Sequence, residues 1–246
     1  MMVTDINAAL DAYASQTGRR LDSRAALIDM DGVLYDSMPR HADAWMQMTS
    51  EIGMRCTRNE FFLYEGMTGR ATIHLLMRKY RGRDATDDEC ERLYARKTEL
   101  FAAHQQRPLM PGADRMLRAL SAFNLRRVLV TGSGQASLLD ALQHDYPDVF
   151  TPDSMVTAAD VRHGKPDPEP YLKGLQKAQC ESWQAIVVEN APIGIQAGAK
   201  AGCFVIAVAS GPIPADRLSS AGAHIVFPSM DACADALPAL LHIARQ

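Results

Sequence analysis

Ala25-Ala26-Leu27-Ile28-Asp29-Met30-Asp31-Gly32-Val33-Leu34-Tyr35-Asp36-Ser37 passes from an apolar run into carboxylates and a glycine. Ala25–Asp29 reads as a short buried strand that opens into a loop. Residues two apart at a strand end point the same way. Asp29 and Asp31 therefore present paired carboxylates at one edge of a sheet. One can attack as a nucleophile and its neighbour can serve as general acid and base. Gly32 lets the chain turn and its backbone approach an anion. A single Asp would read equally well as a solvated turn; Asp-x-Asp-Gly directly after a buried strand favours chemistry.

Upstream, Ile6, Leu10 and Tyr13 mark a helix over 4–17. Downstream, every pattern from Pro39 to Arg107 is helical. Trp45, Met48 and Ile52 share one face, as do Ile73, Leu76, Met77 and Tyr80. Leu93, Lys97 and Leu100 lie on a third helix, with Asp87 and Asp88 at its start. The methionines between Met38 and Met77 read as adaptable packing.

After Pro108 and Pro111 the texture changes. Met116, Leu117 and Leu120 mark a helix, Arg127–Thr131 a strand, and Leu138, Leu139 and Leu142 a helix. Met155–Thr157 reads as a strand, 170–178 as a helix, Ala185–Glu189 as a strand and the next segment as a helix. Phe204–Val208 and His224–Phe227 close the set of strands, and Met230–Ala244 is a final helix. This alternation predicts an α/β fold, a Rossmann-like parallel sheet covered on both faces. Ligands in such sheets sit at the carboxyl ends of the strands, here Asp29, Thr131 and Glu189. The expected organisation is a core of 1–38 and 108–246 with a helical block, 39–107, inserted between its first two strands. The crossings fall at Asp36–Arg40 and His104–Gly112.

The length of 246 residues is about 1.6 times a usual domain, which one core plus one inserted module accounts for. With 47% apolar and 22% charged residues, disordered and collagen-like classes are out. A net charge of -3 offers no basic footprint for nucleic acid. No polybasic or amphipathic stretch suits a membrane surface, and no apolar run approaches a ~20-residue span. The N-terminal residues, with Asp5 and Asp11, do not read as a signal peptide. Five cysteines without Cys-x-x-Cys spacing read as free thiols in a reducing cytoplasm rather than zinc ligands.

Three further motifs stand at strand ends. Thr131-Gly132-Ser133-Gly134 offers hydroxyls and free N–H groups to a phosphate, although alone it reads as a plain turn. Lys165, in Gly164-Lys165-Pro166-Asp167-Pro168, is held extended by the proline that follows. It can offset charge on a transferring phosphoryl group or be a surface lysine in a proline loop. Glu189 and Asn190 offer hard oxygens suited to Mg²⁺. Gly194, Ala197, Gly198 and Ala201 recur at helical spacing and predict close packing of a helix on the sheet.

In this order, the motifs resemble the haloacid dehalogenase superfamily, within it the β-phosphoglucomutase-like group with a helical cap, over roughly residues 22–230. The resemblance implies phosphoryl transfer with Asp29 as nucleophile and Asp31 as acid and base. It places Thr131, Gly132, Ser133 and Lys165 around the phosphate, and Mg²⁺ at Asp29, the Asp31 carbonyl, Glu189 and Asn190. It extends to His41, which mutase-like members keep near the hinge. Two departures stand out. Asn190 occupies a place where the family usually has Asp, and Glu65, in Tyr64-Glu65-Gly66-Met67-Thr68-Gly69-Arg70, occupies one where the mutases carry Lys. Glu65 would repel a second phosphate and could instead reach the metal; Arg70 remains as an anion clamp. The expected function is a cytoplasmic Mg²⁺-dependent phosphatase acting on a small phosphorylated metabolite or pyrophosphate, as a monomer or weak homodimer. The alternatives are a β-phosphoglucomutase and a non-catalytic protein that binds phosphometabolites.

Overall fold

The computed structural model describes residues 3–103, 108–134 and 138–245, with side chains from 6 onward and, in the last segment, from 140. Six parallel strands form one sheet: β1 (Ala25–Ile28), β2 (Arg126–Val130), β3 (Met155–Val156), β4 (Ala185–Glu189), β5 (Phe204–Val208) and β6 (Ile225–Phe227), in the order β3-β2-β1-β4-β5-β6. This is the doubly wound arrangement, and its order reverses between β1 and β4, where ligand crevices form. β1 sits between β2 and β4, with Ile28 in register with Leu129 and Val188. Asp29 falls just beyond the strand, and its N–H still donates to the Val188 carbonyl at 3.0 Å.

Side chains of the strands alternate between two apolar clusters. Ile28, Ile186, Val188, Phe204 and Ile206 face α1 (Val3–Thr17), α6 (Ala113–Ala122) and α11 (Met230–Ile243). Leu27, Val187 and Val205 face α8 (Glu169–Ala178) and α9 (Pro192–Lys200). A Cβ on Gly198 would lie 3.0 Å from Val187 Cγ1 and 3.1 Å from Val205 Cγ2, so the expected close packing of α9 holds there.

Four helices lie between β1 and α6: α2 (Met38–Glu51), α3 (Arg58–Leu63), α4 (Gly69–Arg81) and α5 (Asp87–Ala102). The sequence marks three of them; α3 is too short to show a helical period. Thr86 and Glu89 form a capping box that starts α5. Trp45, Phe61, Ile73, Leu76 and Leu93 make the interior of this insertion, and the same apolar cluster continues onto the sheet through Leu27 and Tyr171. Residues 104–107 of the second crossing lie outside the described residues. α7 (Leu138–Asp145) and α10 (Ala215–Ser220) complete the helices. Among the described residues, no helix is long and apolar enough to cross a membrane.

Candidate active site

The carboxyl ends of β1, β2 and β4 gather Asp29, Thr131 and Glu189. Asp29 and Thr131 face a cavity of about 60 Å³ that Asp31, Glu65 and Ser133 also line. Lys165 enters from the loop before α8. It is 2% exposed and donates to Asp29 Oδ1 at 2.5 Å, Glu189 Oε1 at 2.7 Å and the Val130 carbonyl at 3.0 Å. All three ammonium protons are therefore assigned. Burial alone would lower the Lys165 pKa, but the two carboxylates outweigh it and raise it. Burial pushes Asp29 up, while the Lys165 charge opposes the shift.

Glu189 is buried and fully hydrogen-bonded. Its Oε1 accepts from Lys165 and from the Tyr171 hydroxyl at 2.7 Å, and its Oε2 accepts from the N–H groups of Asn190 at 3.0 Å and Ala191 at 3.2 Å. A carboxylate has about four lone-pair sites, and four hydrogen bonds use them. Glu189 thus holds Lys165 with one oxygen and the backbone after β4 with the other. Gly194 is part of the same arrangement, because a Cβ there would lie 1.7 Å from Glu189 Oε1. Gly-to-Ala in a helix ordinarily gains up to ~1 kcal/mol. Gly194→Ala is instead expected to lose about 1–3 kcal/mol by overpacking, measured by urea denaturation, and to lower turnover by displacing Glu189 from Lys165.

Asp31 has a different environment. Its Oδ1 accepts from Ser37 Oγ at 2.5 Å and pairs with His41 Nε2 at 3.1 Å. Ser37 starts α2 without a side-chain capping bond; its hydroxyl serves Asp31 instead. His41 is stacked on Phe101, with ring centroids 4.0 Å apart, and Lys97 Nζ lies 2.6 Å from His41 Nδ1. An ammonium can only donate, so Nδ1 accepts and Nε2 carries the proton toward Asp31. Burial would raise the Asp31 pKa, but His41, Ser37 and Lys97 outweigh it and hold it at about 2. Burial lowers Lys97 to about 8, and Asp31 opposes that shift. Lys97, Ser37 and Tyr171 carry roles that motif reading does not assign. Lys97 left a trace, being a lysine on the apolar Leu93–Leu100 face of its helix.

Glu65 reaches the site from the insertion. It is buried, and its Oε1 accepts from Asn190 Nδ2 at 2.8 Å. Burial raises its pKa well above the usual carboxylate range; Asn190 opposes the shift, and Asp29, Asp31 and Glu189 add to it. Gly32, at φ +80°, passes beneath this contact, and a Cβ there would overlap Asn190 Nδ2 at 1.8 Å. Its absent side chain makes room for Asn190 and Glu65, a role beyond the anion approach expected of it. The insertion also rests on the turn after β2: a Cβ on Gly132 would lie 2.6 Å from the Gly66 carbonyl. Ser133 N–H donates to Thr131 Oγ1 at 3.1 Å, which shapes that turn.

Arg70 does not meet the expectation of a clamp in the cavity. Placed one residue into α4, it is exposed and pairs with Asp87 at the insertion's surface.

The oxygens suit a hard divalent cation. Asn190 Oδ1 is buried with no hydrogen-bond partner among the described residues. Four carboxyl groups, Asp29, Asp31, Glu65 and Glu189, face two ammonium groups, and a divalent charge among them would let Asp29 and Glu65, which burial pushes toward neutral, ionise. Among the described residues no three His, Cys, Asp or Glu side chains converge as a metal cluster. Amide and backbone oxygens would therefore have to supply part of the shell.

Residues 23–202 match the haloacid dehalogenase-like hydrolase family. The chain belongs to that family. Among its relatives is hexitol phosphatase A of Escherichia coli, 31% identical over 78% of this chain and 86% of the relative. Another is glycerol-1-phosphate phosphohydrolase 1 of Saccharomyces cerevisiae, 28% identical over 84% of this chain and 82% of that one. A structure from Bacteroides vulgatus, provisionally called a beta-phosphoglucomutase, superposes with a TM-score of 0.96 at 41% identity over 100% of both chains. This haloacid dehalogenase-like protein is an enzyme of the phosphatase or phosphomutase kind. The binding-only alternative suggested by Asn190 gives way.

Proposed function

We propose that the protein is a metal-dependent phosphohydrolase whose site takes a small phosphoanion, with inorganic pyrophosphate as the leading substrate. The observation that carries this reading is the Glu65–Asn190 hydrogen bond at 2.8 Å, which brings a buried carboxylate of the insertion into the reaction site. A negative charge there disfavours the second phosphate of a sugar bisphosphate. The cavity of about 60 Å³ is also far below the roughly 300–1,000 Å³ of pockets that enclose larger ligands.

Mg²⁺ would be held by Asp29, the Asp31 carbonyl, Asn190 Oδ1 and Glu65, and when bound it offsets charge on the phosphoryl oxygens. Lys165 fixes the Asp29 carboxylate, which attacks phosphorus in line as the bond to the leaving oxygen breaks. Asp31, ionised at rest, would pass to that oxygen the proton that His41 Nε2 shares with it, His41 being reprotonated at Nδ1 by Lys97, and would then take one from the water that cleaves the aspartyl phosphate. His41 and Lys97 orient Asp31 for both steps. Thr131, Gly132 and Ser133 receive phosphoryl oxygens at the end of β2. Positioning and electrostatics supply most of the rate in phosphoryl transfer.

A phosphate-release assay with Mg²⁺ on pyrophosphate, glycerol 1-phosphate, a hexitol phosphate and β-glucose 1-phosphate tests the reading. Pyrophosphate is expected to give the highest kcat/KM. Glu65→Ala is expected to raise the Mg²⁺ concentration for half-maximal rate about tenfold or more and to narrow the preference for pyrophosphate. A mutase is the second reading, favoured by the 41% identity to the Bacteroides vulgatus protein. Glucose 6-phosphate formed from β-glucose 1-phosphate and a bisphosphate primer, without phosphate release, would establish it and overturn the first.

A further inference from the structure

Outside this cavity, a second concavity of about 530 Å³ lies where the start of α4 meets the 162–168 loop and the end of α9. Arg70 and His74 reach it from the insertion, and Arg162, His163 and Lys200 from the core. Asp167 is the carboxylate among the described residues of its wall, and its Oδ1 already accepts from the Glu169 N–H at 2.9 Å. A chain of net charge -3 thus gathers three permanent cations and two imidazoles on one seam, of which Arg70 pairs with Asp87 and His74 Nδ1 lies 3.6 Å from Asp84.

The cationic side chains are held at this seam from behind. The N–H groups of Arg162 and His163 donate to the two oxygens of Glu169 at 3.0 and 2.8 Å. Lys200 Nζ donates to the Pro166 carbonyl at 3.1 Å, which leaves it further protons. The side chains of Arg162 and His163 are exposed and form no hydrogen bond or ion pair among the described residues. Beneath them insertion and core touch: a Cβ on Gly164 would lie 2.7 Å from Thr68 Cγ2.

We propose that this seam is a second binding site, for a compact, multiply charged phosphoanion that spans the insertion and the core. The volume falls in the range of small-ligand sites, and guanidinium groups suit the paired oxygens of phosphate. One phosphoryl group would meet Arg162, His163 and Lys200, and the other Arg70, which would exchange its surface partner Asp87 for the anion. An anion so placed ties the insertion to the core beside Thr68 and the 162–168 loop. It would favour the closed arrangement without occupying the reaction site. Arg70, out of reach of the cavity and paired with Asp87 at the surface, borders this concavity instead.

Calorimetric titration of the metal-free protein, in EDTA, with methylenediphosphonate tests the site. Without metal the reaction site has excess carboxylate and repels anions, and no turnover is involved, so the outcome is independent of the proposed reaction. One saturable site is expected, weakening as salt rises. The Arg162→Gln and Lys200→Gln double variant is expected to bind at least tenfold more weakly, and Asp29→Asn as well as wild type. Arg162→Gln alone provides the comparison if the double variant does not fold. No saturable heat up to about 10 mM, wild-type binding by the folded variants, or loss of binding in Asp29→Asn would overturn the proposal. So would inorganic phosphate binding as tightly as the diphosphonate, since spanning needs both phosphoryl groups.

Discussion

Asp29→Asn is expected to lower turnover roughly a thousandfold or more while leaving the fold in place. The amide is a far weaker nucleophile than the carboxylate, and no neighbour can substitute. Asp31 is turned toward Ser37 and His41, Glu189 has its lone pairs filled, and Glu65 is bound to Asn190. The fold should persist because Lys165 keeps Glu189 and the Val130 carbonyl as partners, so no buried ammonium is left unpaired. Acid quench during turnover should find phosphate bound to wild-type protein and none on the variant. Appreciable turnover by a folded Asp29→Asn protein would remove Asp29 from its role.

Lys97→Met separates catalysis from stability. The ammonium fixes the His41 tautomer that donates to Asp31, so its loss is expected to reduce turnover about 10- to 100-fold. Stability should move the other way. Burial lowers the Lys97 pKa from 10.5 to about 8, so between those values the unfolded chain holds a proton that the native one has released. Wild-type stability therefore rises with pH across that window, by about 3 kcal/mol at most for a shift of this size. A methionine has no such proton. Lys97→Met should be the more stable protein at pH 7, with the gap closing as pH approaches 10.5. Parallel stability profiles from urea denaturation at several pH values would contradict this account.

How much of this could be read from the residues depended on what each signal encodes. β4 and β5 fall where expected, because unbroken apolar runs between turn residues define buried strands. Asp29, Asp31 and Thr131 announce themselves as motif residues at strand ends, Lys165 as a lysine in a proline loop, and Glu65 as a departure from a family pattern. Six-residue helices such as α3 and α10 complete too few turns to show a period. The role of Glu189 depends on what faces it: Lys165 and Tyr171 are close in space and distant along the chain, and spacing around Glu189 carries no trace of them. Arg70 shows the converse. Its nearness to Glu65 suggests the same cavity, yet the start of α4 points the two side chains to opposite sides of one loop.

The placement of β1 bears on how the chain is made. Its sheet neighbours are β2 and β4, so the strand that leads into Asp29 leaves the ribosome with neither edge satisfied. Residues 30–125 must follow before its first partner appears, and those residues include the whole insertion. Helices that form from local contacts fold faster than distant strand pairings, so the insertion can assemble while Ala25–Ile28 waits. An unpaired apolar strand is a template for association with other chains. Substitutions that loosen the insertion should therefore reduce the yield of soluble protein during synthesis, even where the finished enzyme would tolerate them.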